Sequence, residues 1–263
     1  FEAPVCIVTS LGHTYELPSR NRSILVGLIR DINSPLSTRF ELRSPNPLSN
    51  TYLVIAGAYQ TILHGIKAVA ESKLSTKDLE KELSKEIGED GFYLEKDRSY
   101  RDENDVFEDY SIEERNQRFS IPPATVYENM KNLEIQSYKI ESLIQGDVFT
   151  EKIINSFKTG AIDKWKKELK NRIIQDNIDI IRSLKKLHDT DDMNTLDEVA
   201  WDNINNLKHY LMKDTMSKKS LFTQIKEAIE SKDYELASKL QIEMKDKMKE
   251  VQHLYIQYQK NIF

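Results

Sequence analysis

Several features that mark common protein classes are scarce in this sequence. It has one cysteine, Cys6, among 263 residues, which excludes an internal disulfide and a cysteine-rich zinc site. The net charge of −5 is spread along the chain, whereas a general nucleic-acid binder carries a basic field. We identify no signal peptide and no uninterrupted apolar run of about eighteen residues. The sequence therefore predicts a cytoplasmic protein with no nucleic-acid partner and no membrane partner.

The abundant residues are those that favour soluble helices. Apolar residues make up 39% of the chain and charged residues 31%, and the length allows one domain or two. After Thr150 the sequence contains Gly160 but no other glycine and no proline. Apolar residues there recur at three- and four-residue steps, which is typical of a helical hairpin or bundle. The predicted helices span roughly 151–188, 195–214, 217–231 and 233–261.

The first half of the chain has a different pattern. Short apolar segments at Val5–Ser10 and Ser23–Ile29 predict strands before any helix begins. Helices are predicted from about 48 to 70, from Ser75 or Thr76 onward, and after a proline pair at 122–123. We read the polar stretch from 91 to 117 as a long surface segment.

The composition changes at Gln145-Gly146-Asp147. We therefore expect two domains, 1–146 and a helical extension over 147–263. The predicted fold class is α+β, with short antiparallel strands packed with helices, followed by a mostly α-helical C-terminal bundle.

The most informative stretch reads TRFELRSPNP. In an extended strand, Arg39, Glu41 and Arg43 share one face, while Phe40 and Leu42 form the other, which we predict to be buried. A carboxylate between two guanidiniums suits a polyanionic ligand with a metal, because Glu41 can bind a hard divalent cation and each arginine can hold a phosphate or carboxylate. The alternative is a surface ladder of charges that contributes little to stability.

Other short motifs surround this stretch in a definite order. The chain opens with FEAPV at Phe1, continues with Asn21-Arg22-Ser23 and then TRFELRSPNP, and reaches Asn50-Thr51-Tyr52-Leu53 before a long apolar helix. In this order the four motifs resemble the C-terminal part of the glutamine synthetase catalytic domain. The resemblance covers the chain strongly to about Ala70 and faintly over 121–150, and it says little about the last hundred residues.

The resemblance implies an ATP-dependent glutamate–ammonia ligase in the full-length protein. In that reaction ATP phosphorylates the side-chain carboxylate of glutamate, and ammonia then displaces the phosphate. Divalent cations, Mg²⁺ or Mn²⁺, would offset the crowded negative charges. The resemblance also implies that the full-length protein is a homo-oligomer.

Five residues match functional positions of the family. Glu2 matches a flap residue that closes over the substrate and helps deprotonate ammonium, and Arg22 matches an arginine that contacts substrate and ATP phosphate. Glu41 matches a metal ligand. Arg43 matches the arginine that holds the glutamate carboxylate and then the acyl phosphate. Arg39 matches a residue near the ATP phosphates.

Some positions depart from the family pattern. Gly27 and Leu36 stand where the family usually has cationic residues, which implies that the nucleotide is held differently or that the activity has diverged. The family's other metal carboxylates would lie upstream of Phe1, so we expect this chain by itself to be inactive.

Two other functions stay open at the level of sequence. One is a related ligase that joins glutamate to a larger amine, of the gamma-glutamyl-polyamine type. The other is a non-catalytic role, in which the helices after Asp147 form an oligomerisation or partner-docking module.

Overall fold

The computed structural model describes residues 26–29, 34–37, 39–102, 104–188 and 195–262. The described part is mostly helical, which confirms the predicted helix-rich composition. The described residues divide into two compact units, one formed by those up to Pro123 with Gln136–Glu151 and the other by Ala124–Ile135 with those from Lys152 onward. We call them the hairpin unit and the helical unit and describe each by itself. The predicted domains 1–146 and 147–263 stay a prediction.

The hairpin unit begins with two short strands. Strands β1 (Val26–Ile29) and β2 (Arg39–Leu42) pair antiparallel, and a single turn of 3-10 helix, Pro35–Ser37, lies between them. The strand predicted at Val5–Ser10 lies outside the described residues. A sheet wider than this hairpin therefore stays a prediction.

Two helices follow the hairpin close to where the sequence predicts them. Helix α1 spans Thr51–Ser72 and helix α2 spans Thr76–Leu83. The side-chain oxygen of Asn50 accepts hydrogen bonds from the backbone amides two and three residues further on, at 3.1 and 3.2 Å. Ser75 caps α2 in the same way. These side chains satisfy amides that a helix start leaves unpaired, and so they fix where each helix begins.

The predicted surface segment after α2 contains more structure than its composition indicates. Helix α3 spans Ile112–Phe119 and starts at a reciprocal capping box between Ser111 and Glu114. Val106 and Phe119 are fully buried and form a small apolar cluster with Tyr110 packed against it. A helix of eight residues gives too few apolar repeats to stand out by periodicity, whereas the S-x-x-E signature of its cap was present in the sequence.

Helix α5 (Ser137–Ile144) packs against α1 within the same unit. The buried side chain of Gln60 on α1 ties them together, because its Nε2 donates to the carbonyl oxygens of Leu143 at 3.2 Å and Gln145 at 2.5 Å. Gly146, with a φ of 73°, then turns the chain, a conformation that glycine adopts without strain.

Most of α1 is nevertheless uncovered. Large apolar side chains along it are exposed: Tyr52, Leu53, Ile55, Tyr59, Ile62, Leu63, Ile66 and Val69. Within the described ranges, one helix is long and apolar enough, by length and composition alone, to cross a membrane. This helix is α1, with a mean hydropathy of 1.3. A helix packed inside a soluble protein has the same composition.

The helical unit follows the predicted pattern closely. Its elements are α4 (Val126–Ile135), α6 (Glu151–Glu168), a π-helical turn (Leu169–Ile173), α7 (Ile174–Ser183), α8 (Thr195–Met212), α9 (Leu221–Glu230) and α10 (Tyr234–Ile262). Helix α10 packs along α8 and α9. The sequence predicted the segment from 151 to 188 as one helix, and the π-helical turn that divides it was not predicted.

One apolar core runs through the helical unit. Its fully buried members include Leu169, Ile174, Ile181, Ile204, Leu211, Leu221, Ile225, Ala237 and Val251. Two polar contacts connect α10 to neighbouring segments of this core. The buried hydroxyls of Thr125 and Ser238 lie 2.6 Å apart, and Trp165 Nε1 donates to Gln241 Oε1 at 2.7 Å. Buried polar groups that are paired in this way avoid the cost of desolvation and fix the register of the helices.

Candidate functional site

The hairpin brings part of the predicted charged row into one place. Arg39 and Glu41 lie on β2, and Arg43 follows the last residue of the strand. The antiparallel register places Gly27 of β1 opposite Glu41. Directly opposed residues of a ladder have Cβ atoms roughly 5 Å apart, and glycine has no side chain. Gly27 therefore supplies no side chain that could pair with the Glu41 carboxylate.

Glu41 and Arg43 form an ion pair on one face of the strand. Arg43 Nη2 donates to Glu41 Oε2 at 2.5 Å. The Arg43 side chain is 19% exposed and that of Glu41 42% exposed. The pair is thus partly shielded from water, and its carboxylate remains accessible to a ligand in solution.

Arg39 has a different partner from the one that a charge ladder requires. Its Nη1 donates to the backbone carbonyl of Ser37 at 3.1 Å, and its side chain is exposed. Among the ion pairs of the described residues, Glu41 pairs with Arg43 and not with Arg39. No pattern of residues indicates this contact in advance, because the acceptor is a backbone carbonyl that every residue carries.

The prediction that Phe40 and Leu42 are buried is wrong for the structure described. Phe40 is 67% exposed and Leu42 is 41% exposed. The described sheet has only two strands, and no described element of the hairpin unit buries their apolar face. A two-stranded hairpin without a covering layer is marginally stable in water.

Two of the five candidate residues cannot be placed in this geometry. Glu2 and Arg22 lie outside the described residues. Their roles, and the meeting of Glu2 and Arg22 with Glu41 and Arg43 in one site, stay predictions.

The described residues do not form a metal site by themselves. Within the described ranges, no group of three histidine, cysteine, aspartate or glutamate side chains could hold a metal ion. Mg²⁺ requires near-octahedral coordination by oxygen, part of it from carboxylates. Glu41 can contribute one carboxylate, and Arg43 holds one of its two oxygens. The donor set fits one ligand of a shared site, not a complete site.

A carboxylate and a guanidinium fixed side by side on a strand have the chemistry to bind a cation and an oxyanion at adjacent points. Residues 2–89 match the family described as glutamine synthetase, catalytic domain, and the match confirms the resemblance that the motifs indicate. It contains all the candidate residues and ends before the helical unit's main segment. The search found no matching curated protein and no matching solved structure.

Proposed function

We propose that this chain is the C-terminal part of a glutamine synthetase-type ligase, which joins ammonia to glutamate through a gamma-glutamyl phosphate formed from ATP. The observation that carries the proposal is the family match over residues 2–89. The ion pair of Glu41 and Arg43, which lies inside the matched segment, supports it. The proposal includes a cytoplasmic homo-oligomer as the working form of the full-length protein.

Each residue has a role that follows from its chemistry. Glu41 would supply one oxygen ligand to Mg²⁺ or Mn²⁺, whose charge offsets the negative charge of the phosphates. Arg43 would hold the side-chain carboxylate of glutamate and then the acyl phosphate. A guanidinium has five N–H donors in one plane. Arg43 can therefore keep its hydrogen bond to Glu41 and donate to a substrate oxygen at the same time. No change of partner is then needed as negative charge develops on the substrate.

The remaining candidates would serve the nucleotide and ammonia. Arg22 and Arg39 would bind phosphate oxygens of ATP, and Glu2 would accept a proton from ammonium as the amide forms. The exposed guanidinium of Arg39, which is held only by a backbone carbonyl in the described part, can turn toward a phosphate at little cost.

The proposal is tested by measuring phosphate release from ATP with the full-length protein. We expect release to require glutamate, Mg²⁺ or Mn²⁺, and ammonia, and we expect the 263-residue chain by itself to show no turnover. Absence of ammonia-dependent release by the full-length protein would contradict the proposal. Faster release with a polyamine than with ammonia would assign the protein to the larger-amine ligases instead. Turnover by the 263-residue chain would refute the expected inactivity.

A further inference from the structure

The helical unit carries a positively charged cleft far along the chain from the matched segment. The cleft has a volume of about 280 Å³ and lies between the π-helical turn and the turn that joins α9 to α10. We call it the basic cleft. Its lining residues are Lys166, Lys167, Lys170, Asn171, Ile229, Glu230, Lys232 and Tyr234.

The charges in the basic cleft are unbalanced. Four lysines line it against a single carboxylate, in a chain whose net charge is −5. Lys170 Nζ lies 2.7 Å from Glu230 Oε1, so this pair neutralises itself. In the described part of the chain, Lys167 and Lys232 have no ion-pair partner. Among the described carboxylates, Asp163 lies near enough to Lys167 for that charge to help lower the Asp163 pKa, after the larger effect of its hydrogen bond with Lys166, but it forms no ion pair with Lys167. An anion in the cleft would therefore meet positive charge that is only partly compensated.

Lys166 is held in place by an ion pair and by an aromatic ring. Lys166 Nζ lies 2.6 Å from Asp163 Oδ1, on the same helix, and 5.8 Å from the centre of the Tyr234 ring. Asp163 does not line the cleft itself. Lys166 is thus oriented beside the cleft, and Tyr234 gives the cleft one flat aromatic wall.

Two backbone features flank the basic cleft. The π-helical turn widens the long helix at Leu169–Ile173, and such turns occur frequently at functional sites. Across the cleft, Lys232 has a φ of 63°, a left-handed conformation that lysine rarely adopts. The carboxylate of Asp233 accepts a hydrogen bond from Leu236 N at 3.0 Å and so occupies the start of α10. The positive charge of the cleft is therefore that of the lysine side chains, not of the helix end.

We propose that the basic cleft binds a compact phosphate-bearing anion, of the size of pyrophosphate. Lysine ammonium groups bind phosphate as point charges, and here four of them come from two facing walls of one cleft. Small-molecule sites usually enclose about 300–1,000 Å³, so a cleft slightly below this range suits a small ligand. A nucleic acid fits less well, because the acidic chain as a whole would repel its backbone.

The test is isothermal titration of pyrophosphate into the full-length protein, without divalent metal and at constant ionic strength. We expect saturable binding that weakens about tenfold or more in the double variant Lys167→Ala with Lys232→Ala, since both unpaired charges are then lost. Lys167→Arg with Lys232→Arg should keep most of the affinity, because it keeps the charge. The matched control is Lys186→Ala with Lys249→Ala, two exposed lysines of the same unit outside the cleft, which should change the affinity less than twofold.

Parallel titrations distinguish the possible sources of the phosphate. Inorganic phosphate should bind more weakly than pyrophosphate, and ATP should bind to the cleft only through its phosphate chain. Equal losses in the cleft and control variants would show general charge attraction and would overturn the proposal. So would binding that neither double variant alters, because the ligand would then occupy another site. Circular dichroism of each variant excludes loss of fold as the cause.

Discussion

Replacement of Glu41 by glutamine separates the two interpretations of the charged strand. The substitution keeps the shape of the side chain and removes its charge. In the structure Glu41 is 42% exposed and pairs with Arg43 at 2.5 Å. Partly exposed ion pairs contribute about 0–1 kcal/mol to stability, so either interpretation expects a change in the free energy of unfolding below about 1 kcal/mol.

The effect on activity differs strongly between the interpretations. If Glu41 is a metal ligand, its loss removes a charge that acts on the transferred phosphoryl group. Loss of one such electrostatic contact typically lowers kcat by about 10²–10³, equivalent to about 3–4 kcal/mol of activation free energy. If the strand is only a surface ladder, activity should follow stability and remain almost unchanged.

The assay compares kcat/KM for ammonia-dependent phosphate release by the full-length protein with its unfolding in urea. We expect Glu41→Gln to lose activity at least a hundredfold and to require more Mg²⁺ for what remains. The matched control is Glu168→Gln, which removes the charge from an ion pair with Arg172, also at 2.5 Å, in the helical unit. Activity of Glu41→Gln within a few-fold of the unaltered protein would refute the assignment of Glu41 as a metal ligand.

Three further predictions concern stability. The hydrogen bond to the Glu243 carboxylate raises the pKa of Tyr210 to about 12. The contribution of this bond to the free energy of unfolding is therefore complete below pH about 10 and declines as the pH rises toward 12. Tyr210→Phe should flatten this decline in urea unfolding followed by tryptophan fluorescence, and an unchanged pH profile would contradict the assignment. The hydrogen bond from Lys139 lowers the pKa of Glu95. The contribution of this bond to the free energy of unfolding is therefore present above the ordinary glutamate pKa and is lost as the pH falls through the lowered value. Glu95→Gln should therefore reduce the acid-induced loss of hydrogen-exchange protection over 136–151, measured relative to the intrinsic exchange rate at each pH, and an equal loss would oppose the prediction. Ile225→Ala, at a fully buried position, should cost about 2–5 kcal/mol of unfolding free energy, and a loss below 1 kcal/mol would mean that the core collapses around the cavity.

The helical unit was predictable from the sequence because its local signals agree with one another. Apolar repeats and the lack of proline both indicate the helices that the structure shows, and the structure adds the caps at Ser220 and Asp233. The π-helical turn was not predictable, since nothing in Leu169–Ile173 breaks the helical pattern. Its position depends on how the helix on either side packs into the core, which is a tertiary effect.

The candidate site was predictable only in part. Strand alternation correctly indicated that Glu41 and Arg43 lie on one face, because side-chain direction in a strand depends on local geometry. The burial of Phe40 and Leu42 could not be derived in the same way. Alternation shows which residues share a face, but burial depends on what other part of the protein covers that face.

The uncovered surface of the matched segment bears directly on the proposed ligase. Among the residues of β2, α1 and α2, Gln60 is the one that is buried, and just after α2 Lys85 is buried too; both are polar side chains that donate to backbone carbonyls. Apolar burial is the main driving force of folding, and apolar surface as extensive as that of β2 and α1 usually marks an interface. An active site that uses Glu41 and Arg43 therefore requires that protein other than the described residues of β2 and α1 cover this surface.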